Sequence, residues 1–223
     1  MAVAGVVFDA YGTLLDVHSA MQRHADRLGP HWAEISAAWR AKQLEYSWVR
    51  SLAGSAQHRD FAELTEAALH FVAARFGVTD QALIADLSTA YRSLNAYPEV
   101  PDMLRAIRAE GIPTVILSNG SPAMLTEGVR AAGLQLLIDE VLSVERVGVF
   151  KPDPRVYDLA IDRLGGDASK LVFVSSNAWD AFGARTRGYR VVWCNRTAQP
   201  DEYNLRADAT EVGDLTTLAG SLS

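Results

Sequence analysis

Four short segments of the chain carry the side chains that could do chemistry, and each lies at the end of a predicted strand or strand-like segment. They supply two acids, a lysine, hydroxyl groups and side-chain amides. The residues are Asp9, Tyr11, Thr13, Ser118, Asn119, Lys151, Tyr157, Ser175, Asn177 and Asp180. Carboxylates, hydroxyls and lysines are the groups that enzymes use as nucleophiles, acids and bases.

Each of these residues taken singly has a structural explanation. Ser118 and Asn119 precede Gly120 and fit a turn, and Asn177 fits the N-cap of the helix that follows. Asp180 falls in the first turn of that helix, where an acid favours the helix dipole. Lys151 before a proline fits a solvated loop. Capping does not account for all four segments together, so the pattern predicts one catalytic site.

The elements that position these residues are those of a parallel sheet. Apolar runs rich in Val and Ile alternate with amphipathic helices, as a sheet covered on both faces requires. The runs are AGVVF at 4–8, TVILS at 114–118, LVFVS at 171–175 and RVVWC at 190–194, with the segment EVLSVE at 140–145. The predicted fold is α/β, a Rossmann-like doubly wound sheet. Ligands bind beyond the carboxyl ends of such strands, where the four segments lie.

Strand signals vanish between the first run and the second. The stretch WAEISAAWRAKQLEYSWVRSL, at 32–52, predicts one long amphipathic helix with an apolar stripe through Trp39, Leu44, Trp48 and Leu52. Two further helical patterns follow it. The prediction is an α/β core formed by residues 1–16 and 98–223, with a helical cap inserted at 17–97.

Composition narrows the function classes. The net charge of −6 is spread along the 223 residues without a basic run, so neither a nucleic-acid partner nor a membrane partner is expected. Cys194 is the single cysteine, and the five histidines form no pair at metal-ligand spacing. No signal peptide and no membrane span is predicted. These features predict a cytoplasmic protein.

The ordered set of motifs resembles the haloacid dehalogenase-like hydrolase superfamily over essentially the whole chain. The motifs are DxxGT, SN, K-P and a final acid-bearing loop. In detail the chain is similar to the L-2-haloacid dehalogenases (type II). The stretches that carry this likeness are FDAYGTLLDV, WRAKQLEYSWVRSL, LSNGSPAML, FKPDPRVYDLA and FVSSNAWDAFGA.

The resemblance implies a two-step reaction on 2-haloalkanoic acids without a cofactor. The carboxylate of Asp9 attacks the substrate carbon, inverts it and forms an aspartyl ester, which water then hydrolyses to a 2-hydroxy acid. Asp180, with Lys151 and Asn177, positions and activates that water. The family also implies a homodimer.

The remaining site residues take their expected roles from the same family. Arg40, from the cap, and Asn119 stabilise the departing halide, and Ser118 holds the substrate carboxylate. Thr13 hydrogen-bonds Asp9, while Tyr157 and Ser175 support the surroundings of Lys151. An apolar wall is expected from Leu44, Trp48, Phe61 and Trp179, although plain core packing explains Trp48 and Phe61 equally well.

Tyr11 separates this reaction from that of related phosphatases, which carry a second acid at this position. A halide leaves without a proton, so a dehalogenase has no use for that acid. The last loop also offers Ser175, Ser176 and Asn177 where a Mg²⁺ site would want carboxylates, so no metal is expected.

Three alternatives stay open at this point. The first is a Mg²⁺-dependent small-molecule phosphatase of the same fold. The second is a phosphonate hydrolase that forms a Schiff base on Lys42. The third is an inactive scaffold that binds a partner through its cap.

Overall fold

Short runs of β-branched and aromatic residues form six strands in one parallel sheet. The structure is a computed structural model that describes residues 3–222. The strands are β1 (Gly5–Phe8), β2 (Thr114–Ser118), β3 (Glu140–Ser143), β4 (Leu171–Ser175), β5 (Arg190–Cys194) and β6 (Thr210–Val212). Their spatial order is β3-β2-β1-β4-β5-β6, and β1 pairs in parallel with both β2 and β4. This doubly wound sheet confirms the predicted fold class.

The strand order reverses beside β1, which creates the crevice in which the site lies. Phe8, the last residue of β1, pairs with Ile116 on one side and Val174 on the other. The loops after β1, β2 and β4 therefore emerge next to one another. β6 was not predicted because it has three residues and two of them, Thr210 and Glu211, are exposed.

Five α-helices lie within residues 17–97, the segment inserted after β1. They are α1 (Ser19–Gln22), α2 (Ala25–Leu28), α3 (Trp32–Leu52), α4 (Phe61–Arg75) and α5 (Gln81–Ala90). The side chains of Asp60 and Asp80 cap α4 and α5 by accepting hydrogen bonds from backbone N–H groups three residues on. The helical character of the insertion and the bounds of α3 agree with the sequence prediction.

The buried stripe of α3 differs from the predicted one. Trp39, Gln43 and Ser47 are buried, whereas Leu52 is 88% exposed and Trp48 is partly exposed. Gln43 tolerates burial because it donates to Thr65 Oγ1 (3.1 Å) and accepts from the Tyr91 hydroxyl (3.1 Å). Hydrogen bonding inside the cap thus lets the polar Gln43 occupy a buried position on α3.

The chain crosses between core and cap through two adjacent segments. Leu15 forms an antiparallel bridge with Ala96, and the backbone N–H of Tyr97 donates to the carbonyl of Leu14 at 3.1 Å. The division at 16/17 and 97/98 stays our prediction for the domain bounds. Residues 1, 2 and 223 of the predicted core lie outside the described residues.

The remaining five helices cover the sheet. They are α6 (Val100–Ala109), α7 (Pro122–Ala131), α8 (Pro154–Arg163), α9 (Ala178–Thr186) and α10 (Leu205–Asp208). α9 begins directly after the loop that follows β4, so its first turn lies at the carboxyl edge of the sheet. Among the helices of residues 3–222, none has the length and hydropathy that crossing a bilayer demands.

Candidate active site

Asp9 occupies the first position after β1 and is buried, with 5% of its surface exposed. Its backbone N–H donates to the carbonyl of Val174 at 3.0 Å, so the residue is fixed to the neighbouring strand. The chain then turns sharply at Gly12, whose φ of +91° lies in the left-handed region that favours glycine. This turn brings Thr13 back over the Asp9 carboxylate.

Three donors hold the Asp9 carboxylate in one orientation. Thr13 Oγ1 (3.0 Å) and Asn177 Nδ2 (2.8 Å) both donate to Oδ2, and Lys151 Nζ donates to Oδ1 at 3.3 Å. The Thr13 hydroxyl in turn accepts from the backbone N–H of Ser176 at 2.8 Å. Oδ1 therefore carries a single, longer hydrogen bond and is the less engaged of the two oxygens.

Lys151 joins the two acids of the site. Its ammonium group is fully buried and also contacts Oδ2 of Asp180 at 2.8 Å. The ring of Phe173 lies 5.0 Å from Nζ. A single lysine thus supplies the positive charge between Asp9 and Asp180.

Asp180, in the first turn of α9, is buried and fully hydrogen-bonded. Oδ1 accepts from the Tyr157 hydroxyl at 2.7 Å, and Oδ2 accepts from Ser175 Oγ at 3.2 Å as well as from Lys151. Burial raises the pKa of Asp180 to about 6, against the attraction of Lys151, which lowers it. The carboxylate is therefore ionised at pH 7, and its pKa is close enough to 7 for the group to accept a proton.

Ser118 and Asn119 follow β2 and lie beside the lysine loop. Asn119 Oδ1 accepts from the backbone N–H of Lys151 at 2.9 Å, which fixes the orientation of the amide. Its Nδ2 group is therefore left to donate to a ligand. Ser118 Oγ accepts from the backbone N–H of Gly120 at 3.1 Å, and its hydroxyl hydrogen is likewise left for donation.

Tyr11 serves the site through its backbone and its ring. Its carbonyl accepts from Arg40 Nη2 (3.2 Å) and from Asn177 Nδ2 (3.2 Å), so it ties the cap to the last loop. Its ring stacks on Tyr91 at 5.8 Å and lies 6.1 Å from Phe61. Burial raises the pKa of the Tyr11 phenol far above its ordinary value, so the group stays protonated and is a poor acid.

An apolar groove of about 480 Å³ borders the site on the lysine side. Trp48 of the cap and Trp179 of α9 meet edge to face across it, with ring centroids 5.4 Å apart. Lys151 belongs to its lining, and so does the exposed Leu52. Trp48 is thus a groove residue as well as a partly buried one.

Two of the residues predicted for the apolar wall are not groove residues. Phe61 is fully buried and packs between Tyr11 and Phe150, 6.1 and 6.0 Å from their rings. Leu44 is half-buried one turn beyond Arg40 and does not line the groove. The structure brings the other predicted residues to the carboxyl edge of the sheet.

Two residues that sequence analysis did not select also belong to the site. Tyr91 supplies the stacking partner of Tyr11, and Arg196 donates through Nη2 to the carbonyl of Thr13 at 2.9 Å. The sequence could have indicated Arg196, because this residue follows β5 at the same carboxyl edge of the sheet. It could not have indicated Tyr91, because the contact of Tyr91 with Tyr11 depends on how the cap packs on the core.

Lys42, the candidate for a Schiff base, lies elsewhere on the cap. Its ammonium group pairs with Glu45 at 2.7 Å and lies 4.5 Å from the centre of the Phe71 ring. It makes no hydrogen bond to the residues around Asp9. Across residues 3–222, no three His, Cys, Asp or Glu residues are grouped as ligands of a metal ion.

Comparison with known proteins agrees with this geometry. The family model for haloacid dehalogenase-like hydrolase matches residues 3–188. (S)-2-haloacid dehalogenase 1 of Pseudomonas sp. (strain CBS-3) is 43% identical over 217 residues, which cover 97% of this chain and 95% of that protein. The (S)-2-haloacid dehalogenase of Pseudomonas sp. (strain YL) is 47% identical over 196 residues, 87% of this chain and 84% of that one.

Solved structures give the same result. The L-2-haloacid dehalogenase from Xanthobacter autotrophicus with chloropropionic acid covalently bound is 33% identical, with a TM-score of 0.88 and coverage of 98% of this chain and 97% of that chain. A dehalogenase with an intermediate complex is 41% identical, with a TM-score of 0.95 and coverage of 99% and 97%. The chain therefore belongs to the haloacid dehalogenase-like hydrolases, and within them to the group of the (S)-2-haloacid dehalogenases, as its motifs predicted.

Proposed function

We propose that this protein hydrolyses L-2-haloalkanoic acids to D-2-hydroxyalkanoic acids through an ester on Asp9. The observation that carries the proposal is the position of Lys151 between Asp9 and Asp180, which gives one site both a nucleophile and a buried base. The covalently bound chloropropionic acid of the Xanthobacter autotrophicus enzyme supports an ester intermediate.

The first step forms the ester. Oδ1 of Asp9 attacks C2 of the substrate opposite the halogen, the new C–O bond forms, and the carbon–halogen electron pair leaves with the halide. Attack from the rear inverts C2. Arg40 and Asn119 stabilise the halide because each holds a donor nitrogen without a hydrogen bond within residues 3–222, and Ser118 binds the substrate carboxylate.

The second step hydrolyses the ester. Water attacks the carbonyl carbon of Asp9, and Asp180 accepts the water proton. Collapse of the tetrahedral intermediate breaks the bond between the Asp9 carbonyl carbon and the substrate oxygen, and the departing oxygen takes up the proton held by Asp180. The hydroxy acid leaves, and release of the second water proton to solvent restores the Asp9 carboxylate. Tyr157 and Ser175 keep the Asp180 carboxylate in place, and Lys151 keeps it ionised.

The phosphatase alternative is not favoured. A phosphate monoester leaves as an alkoxide that must be protonated, and Tyr11 is too weak an acid for that task because burial raises its pKa. The scaffold alternative predicts a missing site residue, and every residue that the resemblance assigned to the two reaction steps is present.

Halide release from L- and D-2-chloropropionate, with EDTA present, tests the proposal on the wild type and on Asp9→Asn. Release from the L isomer alone, unaffected by EDTA and abolished in Asp9→Asn, is expected. Release that depends on added Mg²⁺, or hydrolysis of phosphate esters, would contradict it. Asn keeps the size of Asp9, so a melting temperature near that of the wild type shows that the loss is chemical.

We further propose that the protein is a cytoplasmic homodimer. The exposed apolar side chains Val49 and Phe71, on the outer face of α3 and α4, support a dimer through the cap. Sedimentation of the wild type should give twice the chain mass, and Val49→Glu should shift it to the monomer. Cell fractionation tests the location.

A further inference from the structure

Arg196 follows β5 and joins two parts of the chain that meet beside the active site. One is the nucleophile turn (residues 9–13), which begins with Asp9 and ends with Thr13. The other is the return linker (residues 95–99), which brings the chain from the cap back to α6. The arginine side chain is only 13% exposed, and its guanidinium group contacts both the turn and the linker.

The guanidinium group holds the nucleophile turn through the carbonyl of Thr13. Nη2 of Arg196 donates to this carbonyl at 2.9 Å, and it is the one donor to that oxygen among the hydrogen bonds that residues 3–222 form outside helices and strands. Thr13 is fully buried, so the loss of this donor would leave a buried acceptor unpaired, which is costly. The hydroxyl of the same threonine donates to Oδ2 of Asp9 at 3.0 Å. Two hydrogen bonds through one residue therefore connect Arg196 to the nucleophile.

The return linker holds the arginine in this orientation. Nη1 of Arg196 pairs with Oε1 of Glu99 at 2.6 Å, and the ring of Tyr97 lies 3.7 Å from the guanidinium carbon in a cation–π contact. The linker is itself tied to the segment after the turn, because the backbone N–H of Tyr97 donates to the carbonyl of Leu14 at 3.1 Å. A planar guanidinium held at its edge and on its face is a preorganised donor for the Thr13 carbonyl.

We infer that Arg196 is a positioning residue for the reaction on Asp9. It holds Thr13 where the threonine hydroxyl orients the Asp9 carboxylate, and Glu99 and Tyr97 hold the arginine in turn. The inference rests on the proposed function, which makes Asp9 the nucleophile. Attack in line with the carbon–halogen bond requires a closely placed oxygen, and a displacement of about 1 Å costs about 10²-fold in rate.

Arg196→Ala should slow the chemical step without weakening substrate binding. No hydrogen bond joins Arg196 to Ser118, Asn119 or Arg40 within residues 3–222, so the groups proposed to bind the substrate and the halide keep their positions. We expect the rate of halide release in the first turnover of L-2-chloropropionate to fall at least about tenfold, while the half-saturating substrate concentration stays within about twofold. A smaller loss of rate, or a loss confined to substrate binding, would overturn the inference.

A double variant shows whether Arg196 acts through Thr13. Thr13→Val removes the hydroxyl that orients the carboxylate, so removing Arg196 as well should slow the first turnover no further. Losses that multiply in the double variant would mean that the arginine acts by another route, and the inference would fail. The matched control is Arg92→Ala, at an exposed arginine paired with Glu127, which should leave the rate unchanged in both backgrounds.

A crystal structure of Arg196→Ala tests the inference without any turnover. The hydrogen bond between Thr13 Oγ1 and Asp9 Oδ2 should be lost, or Thr13 should occupy a second conformer. An unchanged turn would overturn the inference and leave the proposed dehalogenation untouched. A displaced turn in a protein whose wild type releases no halide would overturn the proposed function instead.

Glu99→Gln replaces Arg196→Ala if that variant does not fold. The change keeps the size of the linker side chain and removes the charge that holds the guanidinium group. It should slow the first turnover in the wild-type background and have no effect in the Thr13→Val background. A Glu99→Gln protein as fast as the wild type would refute the role given to the arginine.

Discussion

Nζ of Lys151 lies 2.8 Å from Oδ2 of Asp180, and both side chains are fully buried. The same ammonium reaches Oδ1 of Asp9 at 3.3 Å. Two buried carboxylates this close to one cation cannot both stay ionised without it, because each would repel the other in a medium of low dielectric. The lysine thus allows the nucleophile and the base to be ionised in the same site.

Lys151→Met should abolish most of the activity. Without the ammonium, one of the two acids takes up a proton, and the variant loses either its nucleophile or its base. We expect turnover to fall by at least about 10²-fold, the ordinary contribution of a general base. Halide release from L-2-chloropropionate measures the effect.

The matched control is Lys42→Met, which removes the lysine of the cap. Its ammonium pairs with Glu45 outside the site, so turnover should stay within about twofold of the wild type, as for a surface ion pair. A large loss in Lys42→Met would instead favour chemistry on that lysine.

The rate of ester hydrolysis should depend on the ionisation of Asp180. Because its pKa is raised to about 6, the base is deprotonated above that pH and takes up a proton below it. In the ester Asp9 carries no charge, and the repulsion that helps to raise this pKa is removed, so single-turnover hydrolysis should be level above about pH 6 and fall at lower pH. A rate that stays flat down to about pH 4, near the ordinary pKa of an aspartic acid, would contradict the assignment of Asp180 as the base.

Asp180→Asn should separate the two steps. The amide cannot accept the water proton, yet Asp9 can still attack the substrate. We expect the covalent ester to accumulate, with one halide released per site and hydrolysis slowed by at least about 10²-fold, the ordinary contribution of a general base. Mass spectrometry of the intact chain detects the adduct. Continued turnover at the wild-type rate would rule out the role.

Gly183→Ala should disturb the packing of α9 against Tyr157, the residue that holds Asp180 in place. A Cβ atom there would overlap the Tyr157 hydroxyl oxygen and lie 2.9 Å from Pro152 Cβ. The Tyr157–Asp180 hydrogen bond must then break or lengthen. We expect a loss of about 1–3 kcal/mol in the free energy of unfolding, together with slower ester hydrolysis.

Gly128→Ala, at another helical glycine, is the control for this substitution. Its Cβ would meet Leu15 Cδ1 at an ordinary 3.4 Å, so the change should be neutral or stabilising by up to about 1 kcal/mol. Urea denaturation of both variants gives the comparison. Equal effects would show that the contact with Tyr157 is unimportant.

Thr13→Val should leave two groups without partners. The Asp9 carboxylate loses a donor, and the backbone N–H of Ser176 loses its acceptor, while the size of the side chain is kept. We expect a loss of about 1–3 kcal/mol in stability and a lower kcat. Thr13→Ser restores the hydroxyl and should recover most of the kcat. Failure of Ser to rescue would assign the loss to packing instead of hydrogen bonding.

The sequence by itself determined the elements and the content of the site. Runs such as TVILS at 114–118 and LVFVS at 171–175 are strands in the structure, and α3 begins at Trp32 and ends at Leu52 as predicted. Such patterns are local, so a single sequence displays them. Because parallel strands deliver their carboxyl ends to one edge, the acids, the lysine and the amides could also be predicted to meet.

Tertiary structure decided which groups each side chain contacts and how deeply it is buried. The position of Lys151 between two acids, the raised pKa of Asp180 and the pairing of Arg196 with Thr13 depend on atoms far apart in the chain. The same holds for α3, where Gln43 is buried and Leu52 exposed because of what packs against them. Burial and long-range hydrogen bonds are properties of the packed molecule, and no spacing in the sequence encodes them.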